Sequence, residues 1–339
     1  MNIKTASGEW GIFVLAAMLI LFSRIHAAER VDPFEQVKRM GRGVNIIGYD
    51  PLWQDPAKAR FKEKHFKLIK DGGFGFVRIN LHAFDHMEDQ GDFRLEDSFI
   101  NTLDWAVQNA TEAGLMVLLD LHNFTDFAKD PARYKPKFLA FWRQIAQHYQ
   151  DAPSGVIFEM LNEPNGLLTP PLWNIYLREA LAIIRESNPE RTVVIGPGFW
   201  NGIDHLAELE LPEGDRNLIV TVHYYLPMEF THQGAPWYSG TKHLSGIKWG
   251  SDAEKRRVEA DFKRAQKWAQ DQNRPLLLGE FGAYDKGEMA YRAAYTAHVA
   301  RTAESLGWAW AYWQFDSDFI VYDIDRDQWV EPIHKALIP

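Results

Sequence analysis

Val156-Ile157-Phe158-Glu159-Met160-Leu161-Asn162-Glu163-Pro164 and Pro275-Leu276-Leu277-Leu278-Gly279-Glu280-Phe281-Gly282 are two apolar runs, each ending in a glutamate followed by turn residues. Short apolar runs bounded in this way read as buried strands, so Glu163 and Glu280 are expected at the carboxyl ends of two strands. Working outward, six further apolar segments end in polar residues. The full set is 43–48, 74–80, 116–123, 156–163, 192–198, 218–225, 276–282 and 309–315. Stretches of helical period separate most of them, at 55–70, 95–113, 136–149, 171–187, 252–270 and 286–306. Eight alternations of this kind predict parallel βα units closed into a single (β/α)8 barrel.

Helix punctuation agrees with that reading. Asp55-Pro56 and Pro170-Pro171 place proline at helix starts, and Gly72, Gly114 and Gly307 follow helical runs. The fifth unit is the weakest, with only 202–210 looking helical, and the last helix, 331–337, is short. Residues 226–251 show neither period and hold His232, Gln233, Trp237, Tyr238 and Trp249; a loop that long in a barrel reads as a lid or wall of a site. No proline- or serine-rich linker marks an appended binding module.

Composition narrows the function. The 339 residues are 46% apolar and 24% charged, as in ordinary globular proteins, but thirteen tryptophans and 14% aromatic residues are many, and rings that fill cores also stack on sugars. A net charge of −9 without a basic stripe argues against a nucleic-acid partner. With no cysteine, disulfides, thiolate metal sites and a cysteine nucleophile are excluded. At the start, Lys4, an apolar run over 11–22 and His26-Ala27-Ala28 suggest a signal peptide over 1–28 and a secreted or periplasmic catalytic domain over 29–339. Twelve apolar residues are too few to span a bilayer. Glu9 and Arg24 depart from the leader pattern, which keeps an uncleaved anchor as the other reading.

The predicted strand ends carry Arg78, His122 and Asn123, Asn162 and Glu163, His223 and Tyr225, Glu280, and Trp313. These residues are scattered in sequence but share one address in the barrel, the mouth where such folds build their active sites. Strand alternation puts Ala309, Ala311 and Trp313 on the inner face and sends Trp308, Trp310 and Tyr312 toward the helices. It also puts Glu159 below Glu163, where it is expected as an ion-pair or hydrogen-bond partner.

The ordered set Gly43-Val44-Asn45, Val77-Arg78-Ile79, Leu121-His122-Asn123, Leu161-Asn162-Glu163-Pro164, His223-Tyr224-Tyr225, Gly279-Glu280-Phe281-Gly282 and Trp313 resembles glycoside hydrolase family 5, the cellulase family. The likeness covers nearly everything after residue 35. It implies a retaining β-glycosidase with no cofactor, here expected to be an endo-β-1,4-glucanase, with Glu163 as general acid/base and Glu280 as nucleophile. It further implies that Asn162 bonds the sugar 2-hydroxyl, that His223 orients Glu163, that His122 lines the subsite before the scissile bond, and that Trp313 is its floor. Arg78 and Tyr225 are expected to keep Glu280 ionised, and that charge to raise the pKa of Glu163. Likeness to the endoglucanase branch favours a sugar-facing Trp237 over a packing role. The expected substrate is a β-linked polysaccharide such as cellulose, mixed-linkage glucan or glucomannan, acted on by a monomer with no stable membrane partner.

Other readings stay open. The same mechanism serves a β-mannanase, glucomannanase or xyloglucanase, with specificity set by 226–251 and by Trp53, Trp200 and Trp237. A sugar-binding barrel without activity would have lost a carboxylate, and none is missing. His122 and His223 lack the His-x-His or His-Glu-x-x-His spacing of metal sites. Gly196-Pro197-Gly198 follows a strand but has the wrong spacing for a dinucleotide loop and reads as a βα turn.

Overall fold

A computed structural model describes residues 30–339, so the expected leader over 1–28 lies outside the described residues. Eight parallel strands follow one another around a closed barrel: β1 Arg42–Ile46, β2 Phe76–Leu81, β3 Met116–Leu121, β4 Val156–Glu159, β5 Val193–Ile195, β6 Leu218–Tyr224, β7 Leu276–Phe281 and β8 Ala309–Tyr312. Pairing of Gly43 with Ala311 and Val44 with Tyr312 closes the ring. Each strand falls on one of the eight expected segments, and the (β/α)8 architecture is as the alternation predicts.

Side-chain alternation sorts the barrel into layers. Phe76, Leu118, Ile157, Val194, Ile219, Leu277, Ala309 and Ala311 fill the lower interior. β1 leaves room for them: a Cβ on Gly43 would lie 2.3 Å from the Phe76 ring. Helix Pro33–Met40, for which the sequence reading has no counterpart, plugs the bottom with Val37 and Met40. Trp308, Trp310 and Tyr312 pack outward in the helix-facing core, as alternation predicts.

The helices differ in detail from the expected spans. The stretch 55–70 divides into a 3-10 turn, Pro56–Lys58, and helix Glu63–Asp71. The helix expected from 136 begins at Pro131, because Asp130 caps it by accepting the Arg133 N–H at 3.1 Å, and Pro136 is carried inside. The fifth unit has only the 3-10 helix Ile203–Glu208. A hairpin of β9, Tyr322–Asp323, and β10, Gln328–Trp329, follows β8.

Two departures from simple strand periodicity aim the glutamates. β4 stops at Glu159, and Glu163, expected on the strand, sits four residues beyond it at a left-handed φ of 44°. In β7 a bulge opposes Val222 to Leu278 and then His223 to Glu280, leaving Gly279 as the extra residue. Leu277 faces inward, so strict alternation would send Glu280 out to the helices; the bulge turns it back into the mouth.

Candidate active site

At the centre of the mouth Arg78, fully buried on β2, binds on every side. Its Nε and Nη2 donate to the two oxygens of Glu159 at 2.6 and 2.8 Å, so Glu159 is the ion-pair partner the spacing suggests. Nη1 donates to Glu280 Oε1 and to Asn45 Oδ1, each at 2.8 Å. Nη2 also reaches Asn162 Oδ1 at 2.9 Å and Asp120 at 3.1 Å. A planar guanidinium with five N–H groups is the one side chain that can meet so many acceptors in a plane.

His223 and Tyr225, from the end of β6, complete the two glutamates. His223 Nδ1 lies 2.8 Å from Glu163 Oε1 and 3.6 Å from Glu280 Oε2. The Tyr225 hydroxyl donates to Glu280 Oε2 at 2.9 Å. Asn165 steadies the turn under Glu163 by donating to its carbonyl at 2.7 Å. Gly279 is required at the bulge, where a Cβ would come within 2.5 Å of Thr221 Oγ1 and 2.9 Å of His223 Nε2.

On the opposite wall, His122 donates from Nδ1 to Asp120 Oδ2 at 2.6 Å, which leaves Nε2 facing Asn162 Nδ2 at 3.5 Å. Burial and the Arg78 charge hold His122 well below its ordinary pKa, so it is neutral. Trp313 stacks on it with ring centroids 5.5 Å apart and planes at 7°. Tyr49 stands edge-on to Trp313 at 6.3 Å.

One cation faces four carboxyl groups here, those of Asp120, Glu159, Glu163 and Glu280. They cannot all be ionised in so dry a place. Burial pushes Glu163 up to about 8, opposed by Arg78 and assisted by Asp120 and Glu159. It pushes Glu280 up to about 7, with Arg78, and His223 when protonated, pulling the other way and Glu163 assisting. This corrects the expected cause: desolvation, more than the charge of Glu280, holds the proton on Glu163. The order survives, Glu163 keeping its proton to higher pH than Glu280.

The cleft above these residues has a volume of about 880 Å³, well within the range of ligand sites. Trp237 and Trp200 line it, both about half exposed, and so do Tyr238, Phe319 and Asp318. The 226–251 segment forms a wall of the cleft, held by Gln233, which bonds the Phe230 and Ile247 carbonyls and the Ile247 N–H. His232 is buried against Tyr225 and Phe319.

Two expected residues stand elsewhere. Asn123 is buried off the cleft and accepts the Phe84 N–H at 3.0 Å, holding a loop. Trp53 is core: it donates to the Ile47 carbonyl at 2.6 Å, stacks on Phe99, and borders a separate cavity of about 250 Å³ behind Tyr49. Asp120, Asn80 and Tyr49 were not singled out from sequence. The spacing of Asp120, two before His122 on one strand face, was the available signal. Glu163, His223 and Glu280 each bring a ligand atom within 4.8 Å of the others, a spacing that a divalent ion could bridge. Arg78 already supplies the cation at Glu280.

Residues 37–318 match the family model for cellulase, glycosyl hydrolase family 5. The chain belongs to this family. Among solved family 5 neighbours, Thermotoga maritima Cel5A in complex with cellobiose is 39% identical, with a TM-score of 0.86 over 91% of this chain and 100% of that one. The same figures hold for Cel5A in complex with mannotriose. Endoglucanase H of Acetivibrio thermocellus is 28% identical over 318 residues, 91% of this chain and 34% of the relative. Endoglucanase 3 of Fibrobacter succinogenes is 27% identical over 355 residues, 89% and 53% respectively. The family 5 chain described here thus spans a third to a half of the length of these curated relatives.

Proposed function

We propose that the protein is a retaining endo-β-1,4-glucanase in which Glu280 is the nucleophile and Glu163 the general acid/base. The spacing of the two carboxyl groups carries the reading. One oxygen of each lies within 4.8 Å of the other, close to the separation of about 5–5.5 Å used for direct attack and well short of the 6.5–9.5 Å that leaves room for water.

Glu280 Oε attacks the anomeric carbon while the bond to the leaving oxygen breaks and Glu163 delivers its proton to that oxygen. An α-linked glycosyl ester results. Water then attacks the same carbon, Glu163 takes its proton, and the ester opens to restore ionised Glu280 with the β configuration kept. Arg78 and Tyr225 hold Glu280 in line and favour its charged form, and the amide of Asn162, anchored by Arg78, is free to meet a sugar hydroxyl. Trp313 and His122 make the floor for the sugar before the scissile bond, and Trp237 and Trp200 the walls beyond.

Mannan remains the second substrate, favoured by the likeness to Cel5A, of which a mannotriose complex is known. We place the enzyme outside the cytoplasm as one catalytic domain behind a leader; among the described residues no helix is long and apolar enough to cross a membrane. Reducing-sugar release from soluble cellulose, lichenan, glucomannan, mannan and xyloglucan tests the reading, with Glu280→Gln as blank. Activity on internal β-1,4-glucan bonds that the variant lacks is expected; an equal rate in the variant would remove Glu280 as nucleophile. Glu163→Ala should regain turnover of an activated aryl glycoside with azide and yield the β-azide, whereas an α-azide contradicts retention.

A further inference from the structure

Three successive non-glycine residues after β5 adopt the left-handed conformation: Phe199, Trp200 and Asn201, at φ 52°, 58° and 55°. Each such residue is strained, and strain of this kind persists where neighbours over-determine it. Here the turn is tied to the turn that carries Glu163, because the Trp200 N–H donates to the Pro164 carbonyl at 3.2 Å. Its consequence is to send Trp200 outward to the cleft and Asn201 inward, fully buried, with Nδ2 3.2 Å from His223 Nε2. Space for that amide exists only because residue 196 is glycine: a Cβ there would lie 2.1 Å from Asn201 Oδ1.

We propose that Asn201 is a positioning residue that holds His223 in the tautomer with its proton on Nδ1, so that the ring donates to Glu163 and Glu163 keeps its own proton for the leaving group. The proposal rests on the reading of Glu163 as acid/base. An amide NH2 can only donate, so a ring nitrogen facing it must be the acceptor, and the remaining proton falls on Nδ1. The amide orientation follows from its surroundings. With Nδ2 on His223, the side left without an N–H or O–H partner is Oδ1, which rests against the Gly196 Cα. Reversing the amide would bury two unpaired N–H donors there instead, the costlier error.

Above its ordinary pKa of 6.5 the ring is neutral, and there its tautomer matters. Burial lowers its pKa against the opposing pull of Glu280, Glu159 and Asp120, with Arg78 adding to the lowering. In the other tautomer Nδ1 would present a lone pair to Glu163 at 2.8 Å. A protonated Glu163 would then donate to the ring, and the proton needed by the leaving oxygen would be held in the wrong bond. Asn201 thus decides which of two neighbours receives the proton of Glu163, without touching substrate.

The test is the tautomer itself, read by long-range 15N–1H correlation on the full chain, with the His223 signal assigned by its loss in His223→Asn. Wild-type enzyme should show a pyrrole-type Nδ1 and a pyridine-type Nε2; the reverse pattern overturns the proposal whether or not the Asn201 variants fold. Asn201→Ala should mix the tautomers, and Asn201→Asp should draw the proton to Nε2. For Asn201→Ala, kcat/KM should fall about 100-fold on β-glucan but no more than about 3-fold on a dinitrophenyl cellobioside, whose leaving group needs no acid. Equal losses on both substrates with an unchanged tautomer would make Asn201 merely structural. Failure of the Glu163 reading shows separately, as Glu163→Ala retaining the wild-type rate on β-glucan.

Discussion

Arg78 Nη1 donates to Glu280 Oε1 at 2.8 Å while the same guanidinium grips both oxygens of Glu159 at 2.6 and 2.8 Å. The carboxylate proposed as nucleophile is therefore held through an arginine whose own position is set by a second carboxylate deeper in the barrel. Glu159 touches the site through Arg78, and every member of that chain of contacts is buried.

Arg78→Lys should lose most of the activity, since an ammonium supplies one point of charge where Glu159, Glu280, Asn45, Asn162 and Asp120 each expect a donor. A fall in kcat/KM of about 10²–10³ is expected, comparable to losing one preorganised donor at a reacting centre. Arg78→Ala should also cost about 3–5 kcal/mol of stability, because it leaves Glu159 buried without its cation. Steady-state kinetics and denaturant unfolding of the two variants check this; a lysine variant within threefold of wild type would show that only charge matters.

Gly279→Ala tests the bulge that aims Glu280. The added methyl meets Thr221 Oγ1 at 2.5 Å and His223 Nε2 at 2.9 Å, so either β6 or the bulge must move. Overpacking of this kind costs about 1–3 kcal/mol. Because the strain falls on His223 and Glu280 together, activity should drop by more than stability does. A variant with full activity and a lowered melting temperature would mean that the bulge tolerates displacement.

How far the site could be read from sequence depended on whether strand periodicity held. Arg78, His122 and His223 lie on β2, at the end of β3 and on β6, where period-two alternation is intact, and Glu159 was legible for the same reason. Glu280 was found from its position after an apolar run and from family likeness, although its strand parity alone would have pointed it outward; the bulge at Gly279 is a pairing between two strands and leaves no periodic trace. Asn201 was invisible because its place depends on a left-handed turn without glycine at the turn residues. Trp53 was misplaced because an aromatic residue just past a strand end can point to cleft or core, and only the Ile47 carbonyl and the Phe99 ring decide it. Asn123 was misread beside His122 because the chain turns into helix Phe124–Lys129 at that point.

Trp200 and Trp237 are half exposed in the cleft and serve no core, so their removal should spare the fold. Trp237 leans edge-on against Tyr284 at 4.9 Å, which holds its ring upright. Trp200→Ala and Trp237→Ala should each raise KM for long glucan chains about tenfold, in line with roughly 1–1.5 kcal/mol per aromatic platform, with kcat for a short aryl cellobioside little changed. Kinetics across a series of oligosaccharide lengths separates the two walls. Loss confined to kcat would place the rings at the reacting sugar instead.

The pH dependence follows from Glu163, pushed up to about 8, and Glu280, pushed up to about 7, both by burial. On the proposed mechanism Glu280 must be ionised and Glu163 protonated, so kcat/KM should rise with an acidic limb near 7 and fall with an alkaline limb near 8. Stability moves in one direction. Each carboxyl binds its proton more tightly in the folded chain than at its ordinary value of 4.5, so its contribution is fully present below 4.5 and is lost as pH rises through 7 to 8. Glu163→Gln removes the ionisation while keeping the shape. Its melting temperature should match wild type near pH 4.5 and exceed it increasingly toward pH 9, by about 2–4 °C for each kcal/mol relieved. Calorimetry of both proteins over that range checks the sign; a gap that is constant with pH, or one that closes as pH rises, would mean that Glu163 is ionised in the folded enzyme throughout and cannot be the acid.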